Sequence, residues 1–377
     1  MSDEVRIKNT GLRGVTVADS GISFIDGEQG ILIYRGYRIE DLADRSTYLE
    51  TAYLLLHGAL PTAAQLSEFM SRVRAARQVP EFVLASLRLW PREASPMDVL
   101  QACVPLLAMA DDNIAASDRT SCLSRAISLV ARMPTLVAAW HRIRNDQPVV
   151  PPDDALDHAA NFLWMLQGQR PDAAMARDLD VCLILHADHT FNASTFAARQ
   201  VVSTRASLYA GVAAGIGALS GGLHAGANAR VMQMLLELEH EEDIEGWVRS
   251  RLDQGQVIMG FGHAVYKTGD PRAVYLKRMG QRLAVQHGGR WQEISERIEE
   301  AAQANFAAQG KRGICANVDF NSAPVYYLMG IPLDLMTPLF AVARVAGWCA
   351  HIMEEQFADV QGKPALYRPQ AEYVGEY

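Results

Sequence analysis

Residues 181–228 read VCLILHADHTFNASTFAARQVVSTRASLYAGVAAGIGALSGGLHAGAN, and the rest of the chain is organised around this stretch. An apolar segment leads into His186 and His189, and a run rich in alanine and glycine ends at His224, which stands among glycines. Glycine lets the backbone and a ligand approach closely, so a histidine in this setting is a candidate functional residue. A single histidine beside an apolar segment is also typical of a hydrogen-bonded core residue, so the rest of the chain has to decide between the two interpretations.

The composition is that of a soluble globular protein. With 377 residues, 49% hydrophobic and 21% charged, the chain can form one large domain or two. A net charge of −8 without a dense basic run argues against nucleic-acid binding. The five cysteines are widely spaced and form no CxxC motif, which favours a reducing cytoplasm over a disulfide framework or a zinc ribbon. The N-terminus lacks the apolar core of a signal peptide, and we interpret the uncharged run 206–229 as a buried helix and a loop, not a membrane span.

The periodicity of the chain predicts an all-α fold. Short alternating segments in 11–38, around Asp26 and Gly27, predict a small hairpin. Strand signals almost vanish after it, and Thr62 with Gln65 forms a capping-box pattern at the start of a helix. Proline-bounded segments with helical periods follow at 65–77, 81–90, 97–112, 119–145 and 153–168. Such a series of helices without intervening strands indicates an all-α architecture, which ends in an apolar helix at 335–356.

A change in composition predicts two domains. The sequence becomes strongly charged after His224, with amphipathic helices at 275–287 and 291–308, and returns to apolar sequence within 311–330. We therefore expect a large domain formed by residues 1–221 and 326–377, and a smaller helical domain formed by residues 222–325.

Six side chains in this framework are candidates for chemistry: His224, His263, Asp319, Arg272, Arg344 and Arg368. Arg344 lies where the helical period calls for a hydrophobic residue, so its charge needs either an internal carboxylate or an anionic substrate. Arg272, which follows Asp270 and Pro271, is interpreted more simply as a surface residue. Several arginines suit a dicarboxylate, an aspartate can act as a base, and two histidines can stabilise oxyanions. Together they suit proton abstraction next to a carbonyl, followed by carbon–carbon bond formation.

Seven segments, in order along nearly the whole chain, resemble the citrate synthase family. They are SGISFIDGEQGILIYRGYRIEDLA with TAYLLLHGALP, HADHTFNASTFAAR, GGLHAGAN, MGFGHAVYKTGDPRA, NVDF, PLFAVARVAGWCAHIMEEQ and RPQAEYVG. The resemblance implies an all-α fold in which a small domain closes on a large one after oxaloacetate binds. Closure of this kind excludes water from a reactive intermediate.

The resemblance also implies a role for each candidate. Asp319 would take a proton from the methyl group of acetyl-CoA, and His224 would donate a hydrogen bond to the thioester oxygen. His263 would bind and protonate the ketone of oxaloacetate, and the citryl-CoA formed would be hydrolysed. The oxaloacetate carboxylates would be held by His189, Arg272, Arg344 and Arg368.

Two further expectations come from the family. Arg368 would act across the interface of a homodimer, in the neighbour's site. CoA would be a co-substrate rather than a tightly bound cofactor, and its binding residues would be Val257, Met259, Gly260, Gly262, Lys267, Lys311, Arg312 and Asn317.

The chain departs from the family pattern near the proposed base, and this leaves more than one function open. The usual NVDFYSG is NVDFNSA here, with Asn321 and Ala323, and further changes stand at Ala225 and Ala264. The sequence therefore leaves open whether the acyl pocket takes acetyl-CoA or propionyl-CoA, which is the substrate of a 2-methylcitrate synthase. One methylene group allows a pocket to discriminate between the two substrates by only about 1–3 kcal/mol. Two hypotheses of a different class are a metal-dependent hydrolase that uses His186 and His189, and a non-catalytic protein that keeps the fold.

Overall fold

The computed structural model describes residues 11–376 apart from 13, 225, 263, 264, 267 and 312, and these residues form three short strands and sixteen α-helices. The strands are β1 (Ser23–Asp26), β2 (Ile31–Tyr34) and β3 (Tyr37–Arg38). The helices of the first half are α1 (Ile39–Arg45), α2 (Tyr48–His57), α3 (Ala63–Ala75), α4 (Glu81–Leu89), α5 (Pro96–Ala108), α6 (Arg119–Arg144), α7 (His158–Gln167) and α8 (Ala173–His186). Those of the second half are α9 (Ala193–Val202), α10 (Leu208–Leu219), α11 (Ala227–Glu237), α12 (Ile244–Asp253), α13 (Ala273–His287), α14 (Trp291–Ala308), α15 (Val318–Leu328) and α16 (Met336–Phe357). The prediction of an all-α fold with an N-terminal hairpin is confirmed.

The hairpin pairs β1 with β2 in antiparallel register, from Ser23 opposite Tyr34 to Asp26 opposite Ile31. Its turn closes because an oxygen of the Asp26 carboxylate accepts hydrogen bonds from the backbone N–H groups of Glu28 and Gln29, both at 2.9 Å. The short strand β3, which the sequence pattern does not predict, extends the sheet on the outer side of β2.

Local signals place most helix ends correctly. The predicted capping box is present: Thr62 accepts a hydrogen bond from the Gln65 N–H, and the Gln65 side chain accepts one from the Thr62 N–H. The main error is the segment 153–168, where the helix begins only at His158. The side chain of Asp153 accepts a hydrogen bond from the Ala155 N–H instead, and this turn competes with helix formation.

The core is centred on α16, which packs against α2, α6, α8, α9 and α10. By length and composition alone, Arg119–Arg144 and Leu333–Phe357 could each cross a membrane, but 78% and 100% of their apolar windows are buried inside the protein. Both are therefore core helices of this fold. Most buried side chains of α16 are apolar, so its buried polar side chains are exceptions.

The helices after His224 pack largely on one another. α11 and α13 contact α15, α12 contacts α14, and α11 also contacts α16. The division into residues 1–221 with 326–377 and residues 222–325 stays a prediction.

Candidate active site

Three of the predicted site residues, on separate parts of the chain, lie within electrostatic range of a fourth, Arg344. Arg344 interacts electrostatically with His224, Arg272 and Asp319. His224 lies in the loop between α10 and α11, Arg272 immediately before α13, Asp319 in the first turn of α15, and Arg344 near the middle of α16. The packing of α11 and α13 on α15, and of α11 on α16, brings these positions together.

His224 is held as a neutral imidazole of one defined tautomer. Its Nε2 accepts a hydrogen bond from the backbone N–H of Ser194 at 3.2 Å, and the Ser194 hydroxyl lies 3.0 Å from the same nitrogen. Burial, with a smaller contribution from Arg344, lowers the pKa of His224 to about 4. Because Nε2 is an acceptor, the proton is on Nδ1, which is therefore a hydrogen-bond donor.

The groups that position His224 are themselves held in place. The Ser194 hydroxyl donates to the side-chain oxygen of Asn192 at 2.6 Å and accepts from the indole N–H of Trp348 at 3.2 Å. On the other side, Arg230 donates to the carbonyl oxygens of Gly222 (2.7 Å) and Gly226 (3.0 Å) and so spans the loop that presents His224. Sequence reasoning missed these supporting residues, because no local pattern links them to the histidine.

Asp319 has the properties of a general base. Burial raises its pKa to about 7, against the opposing effect of Arg272 and Arg344. Its Oδ1 is buried and has no hydrogen-bond partner among the described residues. The neighbouring Asn321, one of the departures from the family pattern, donates its side-chain N–H to the carbonyl oxygen of Asn317 at 3.1 Å rather than to the Asp319 carboxyl. The carboxyl oxygen is therefore left available to a substrate, near physiological pH.

The two buried arginines differ in their partners. Arg272 is only 1% exposed, and its Nε and one terminal nitrogen donate to the two carboxylate oxygens of Asp270 at 2.9 and 2.7 Å. The interpretation of Arg272 as a surface residue is wrong, because this forked ion pair offsets the cost of burial. Burial tends to lower its pKa, but Asp270 raises it overall.

Arg344 is 4% exposed, and no carboxylate of the described residues lies within 4 Å of it. Its Nε donates to the carbonyl oxygen of His186 at 3.3 Å. Burial and the nearby Arg272 lower its pKa below the ordinary value. Of the two explanations left open by the sequence, an internal carboxylate and an anionic ligand, these contacts favour the ligand.

His189 lies in the loop between α8 and α9, is 8% exposed, and has its ring 5.7 Å from the ring of Tyr266. The first histidine of the motif, His186, is fully buried with Nδ1 2.6 Å from the carbonyl oxygen of Cys182, and burial lowers its pKa well below the ordinary value. Within the described part of the chain, no group of three or more His, Cys, Asp or Glu side chains is placed to hold a metal ion. The geometry offers no support for a metal-dependent hydrolase.

The predicted CoA loop is joined to the helix that carries the candidate base. Phe261 and Ala316 form an isolated antiparallel bridge, and Asn317 bonds to Gly260 (N–H to O, 2.9 Å) and, through its side chain, to the carbonyl of Gly262 (3.0 Å). The same Asn317 caps α15 by accepting from the N–H of Asp319. Gly260 is required here, since it has φ +82° and a Cβ would lie 2.7 Å from Cβ of Phe320.

The remaining predicted residues have a less defined setting. Val257 is 65% exposed, Met259 is half-buried and Lys311 is exposed. Arg368 lies in the exposed segment after α16, and no ion pair joins it to another described residue. His263, Lys267 and Arg312 lie outside the described residues.

Comparisons with known proteins identify the family of the chain. The family model described as "Citrate synthase, C-terminal domain" matches residues 11–370. The chain is 44% identical to a citrate synthase of Haloferax volcanii, over 100% of this chain and 97% of that protein. It is 38% identical to 2-methylcitrate synthase 2 of Corynebacterium glutamicum, over 97% and 94% of the two chains. It is also similar, with a TM-score of 0.88 and 39% identity over 97% and 92% of the chains, to the crystal structure of a citrate synthase from Pyrobaculum aerophilum.

Proposed function

Because the chain belongs to the citrate synthase family, we propose that it condenses acetyl-CoA with oxaloacetate and hydrolyses the resulting citryl-CoA to citrate and CoA. The observation that carries this proposal is the grouping, around one point, of a base, a neutral histidine and a cation that pairs with no carboxylate of the described residues. Asp319 and His224 both interact electrostatically with Arg344, although the three residues come from three different elements.

The first step is enolisation of the acyl thioester. Oδ1 of Asp319, which no described residue occupies with a hydrogen bond, takes a proton from the methyl carbon, and the electron pair of that C–H bond moves toward the thioester carbonyl. Nδ1–H of His224 donates a hydrogen bond to the carbonyl oxygen, where negative charge develops. A neutral donor with a fixed tautomer needs no reorganisation for this task, which is the condition for efficient electrostatic stabilisation. The Ser194 N–H supports this step by keeping the proton on Nδ1.

In the second step the enol carbon attacks the ketone carbon of oxaloacetate. The family assigns the protonation of the ketone oxygen to His263, the residue that follows Gly262 at the end of the CoA loop. The citryl thioester is then cleaved by water, which releases CoA as a free thiol. The bonds of Asn317 to both Gly260 and Gly262 couple this loop to the position of Asp319, which supports a single site for both half-reactions.

The oxaloacetate carboxylates are held by Arg344 and Arg272, with His189. Arg344 is the main anion-binding residue, because its guanidinium is buried and no described carboxylate neutralises it. The charge of Arg272 is neutralised by Asp270, so Arg272 orients the substrate carboxylate through directed hydrogen bonds and adds little net positive charge to the site. In this proposal Arg368 reaches the neighbouring subunit of a homodimer, and its position in an exposed C-terminal segment supports that role.

We assign the protein to the cytoplasm and treat CoA as a substrate that leaves after each turnover. The five cysteines are free thiols, which supports a reducing compartment. We also propose that the helices of residues 222–325 form a small domain that closes over oxaloacetate, since closure would shield the enol from water.

Propionyl-CoA is the second candidate substrate, because a relative of 38% identity is a 2-methylcitrate synthase. The test is a thiol-release assay with oxaloacetate and either acetyl-CoA or propionyl-CoA. We expect release that requires both substrates and a kcat/KM higher for acetyl-CoA. A higher kcat/KM for propionyl-CoA would reassign the substrate. Oxaloacetate binding by calorimetry, without thiol release from any short acyl-CoA, would instead identify a non-catalytic member of the family.

A further inference from the structure

A chain of buried polar and charged side chains runs through the core beside the loop that carries His189. Asp188 contacts His351, and His351 in turn contacts Arg199, which pairs with Glu354 and Glu355. All five side chains are at most 1% exposed. A core can be equally stable with apolar residues in such places, so a buried ionic network of this size calls for a specific explanation.

The network ends at the loop that carries His189. The Asp188 carboxylate accepts hydrogen bonds from the Ser23 hydroxyl and from the backbone N–H of Thr190 (3.0 Å), and Nε2 of His351 lies 3.3 Å away. Burial acts to raise the pKa of Asp188, but these donors outweigh it and lower the pKa below its ordinary value. A single carboxylate thus fastens the loop on both sides of His189.

The tautomer of His351 suits this arrangement. Nδ1 of His351 accepts from a terminal N–H of Arg199 at 3.2 Å, so the proton is on Nε2, which donates to Asp188. Arg199 is itself immobilised by Glu354 (2.7 Å) and by Glu355 (2.7 and 3.0 Å). Each member of the chain therefore orients the next one toward the loop.

The backbone around His189 is also constrained. Thr190 has φ +52°, which is unfavourable for a β-branched residue and persists only where the surroundings hold it. The Tyr34 hydroxyl donates to the carbonyl oxygen of Asp188 at 2.7 Å. On the α16 side, a Cβ at Gly347 would lie 2.4 Å from the carbonyl oxygen of Ala187, so the loop rests directly on that glycine.

We propose that Asp188 and His351 are positioning residues for oxaloacetate. They fix the loop 187–190 and thereby hold the His189 side chain in the position and orientation in which it binds the substrate. This inference rests on the proposed function, which makes His189 an oxaloacetate ligand. Neither residue touches the substrate. Both act through His189, as outer groups act on the ligands of a preorganised site.

The central experiment compares Asp188→Asn with Asp180→Asn. Asp188 is fully buried just after α8, whereas Asp180 is partly buried on α8, accepts from the Tyr48 N–H at the start of α2 and pairs with Arg177. The groups within hydrogen-bond distance of the Asp188 carboxylate are all donors, so the amide nitrogen of an asparagine at this position would face a donor. We expect Asp188→Asn to raise the Kd and KM for oxaloacetate by about tenfold, with kcat at saturation within about threefold. Asp180→Asn should leave the Kd unchanged, because Asp180 contacts the start of α2 and Arg177 and not the loop that carries His189.

A double-mutant cycle separates positioning from general destabilisation. In a His189→Ala background, Asp188→Asn should add less than about a twofold change in Kd, because the residue it acts through is gone. A full additional effect of about tenfold in that background, or an unchanged Kd for Asp188→Asn alone, would overturn the proposal. If Asp188→Asn does not fold, Ser23→Ala decides in its place: it keeps every charge and should raise the Kd by a smaller factor, and an unchanged Kd would refute the idea.

The same calorimetry distinguishes the two levels of inference. Wild-type protein that does not bind oxaloacetate would contradict the proposed function, and the positioning role would fall with it. Wild-type protein that binds oxaloacetate, with variants at Asp188 and Ser23 that bind it equally well, would contradict only the positioning role.

Discussion

The backbone N–H of Ser194 donates a hydrogen bond to Nε2 of His224 over 3.2 Å. This bond between residues 30 positions apart decides which nitrogen of the imidazole carries the proton. Since burial also keeps the ring neutral, with a pKa of about 4, the Nδ1 edge of the ring carries an N–H donor at any pH near neutrality. The chemistry proposed for the site depends on this property.

Replacing His224 by alanine removes that donor. We expect kcat to fall by about 10²–10³-fold, the usual loss for one oxyanion donor, while the Kd for oxaloacetate stays within about threefold. Steady-state thiol release and calorimetry measure the two quantities. The matched control is His158→Ala, which removes a buried histidine that stacks on Tyr48, and should lower stability but leave kcat unchanged. Equal losses of kcat in the two variants would contradict the assignment.

Asp319→Asn keeps the shape of the side chain and removes the base. We expect the rate of condensation to fall by about 10²–10⁴-fold, the range for a general base. Oxaloacetate binding should be nearly unchanged, because Asp319 acts on the other substrate. Thiol release under saturating substrates is the measurement. Asn321→Ala, on the same helix, is a useful comparison because the Asn321 side chain bonds to the carbonyl oxygen of Asn317 and not to Asp319, so its loss should cost far less activity. An Asp319→Asn protein with most of its activity would refute the role.

The rate should depend on pH through the same carboxyl. With a pKa of about 7 in the free enzyme, half of the Asp319 side chains are protonated at that pH and cannot accept a proton. We therefore expect kcat/KM for the acyl-CoA to fall about tenfold per unit as pH drops below about 7, and to level off above it. A profile that stays flat down to about pH 5 would show that another group, with an ordinary carboxyl pKa, is the base.

The raised pKa also predicts that the site lowers the stability of the fold. The folded state binds the Asp319 proton more tightly than the unfolded state, in which the carboxyl has its ordinary pKa of 3.8. Between about pH 4 and 7 the folded state therefore carries the extra proton, and the free energy of unfolding falls as pH rises. We expect Asp319→Asn to be more stable than wild type at about pH 8, by on the order of 4 kcal/mol, with the difference vanishing near pH 4. Denaturant unfolding at the two pH values measures this, and a variant of lower stability at the higher pH would contradict it.

Arg344→Ala should weaken oxaloacetate binding severely. Charge-assisted hydrogen bonds contribute about 1.5–3 kcal/mol each, so we expect the Kd to rise by at least about tenfold to a hundredfold, with the KM for acyl-CoA less affected. The control is Arg77→Ala, since Arg77 is also buried but, among the described residues, donates only to the carbonyl oxygens of Asp153 and Leu156. An unchanged Kd for the Arg344 variant would remove this residue from the site.

Features set by interactions over three or four residues were predictable from the sequence. Helical periods, the Thr62–Gln65 capping box and the turn at Asp26 all depend on neighbours along the chain, so they appear as local patterns. The all-α class and the order of the main helices follow from them. The candidates His224 and Arg344 were predictable for a different reason: His224 stands among glycines, and Arg344 lies where the helical period calls for an apolar side chain.

Only the tertiary structure decided how these side chains are supported and charged. It buried Arg272 against Asp270, left Arg344 without a described carboxylate within 4 Å, and joined Asp188 to His351 across 163 positions of sequence. Such hydrogen bonds leave no periodic trace, because their partners are brought together by helix packing and not by spacing along the chain. Burial has the same origin: the pKa of about 7 for Asp319 depends on how much water the packed helices exclude from the carboxyl.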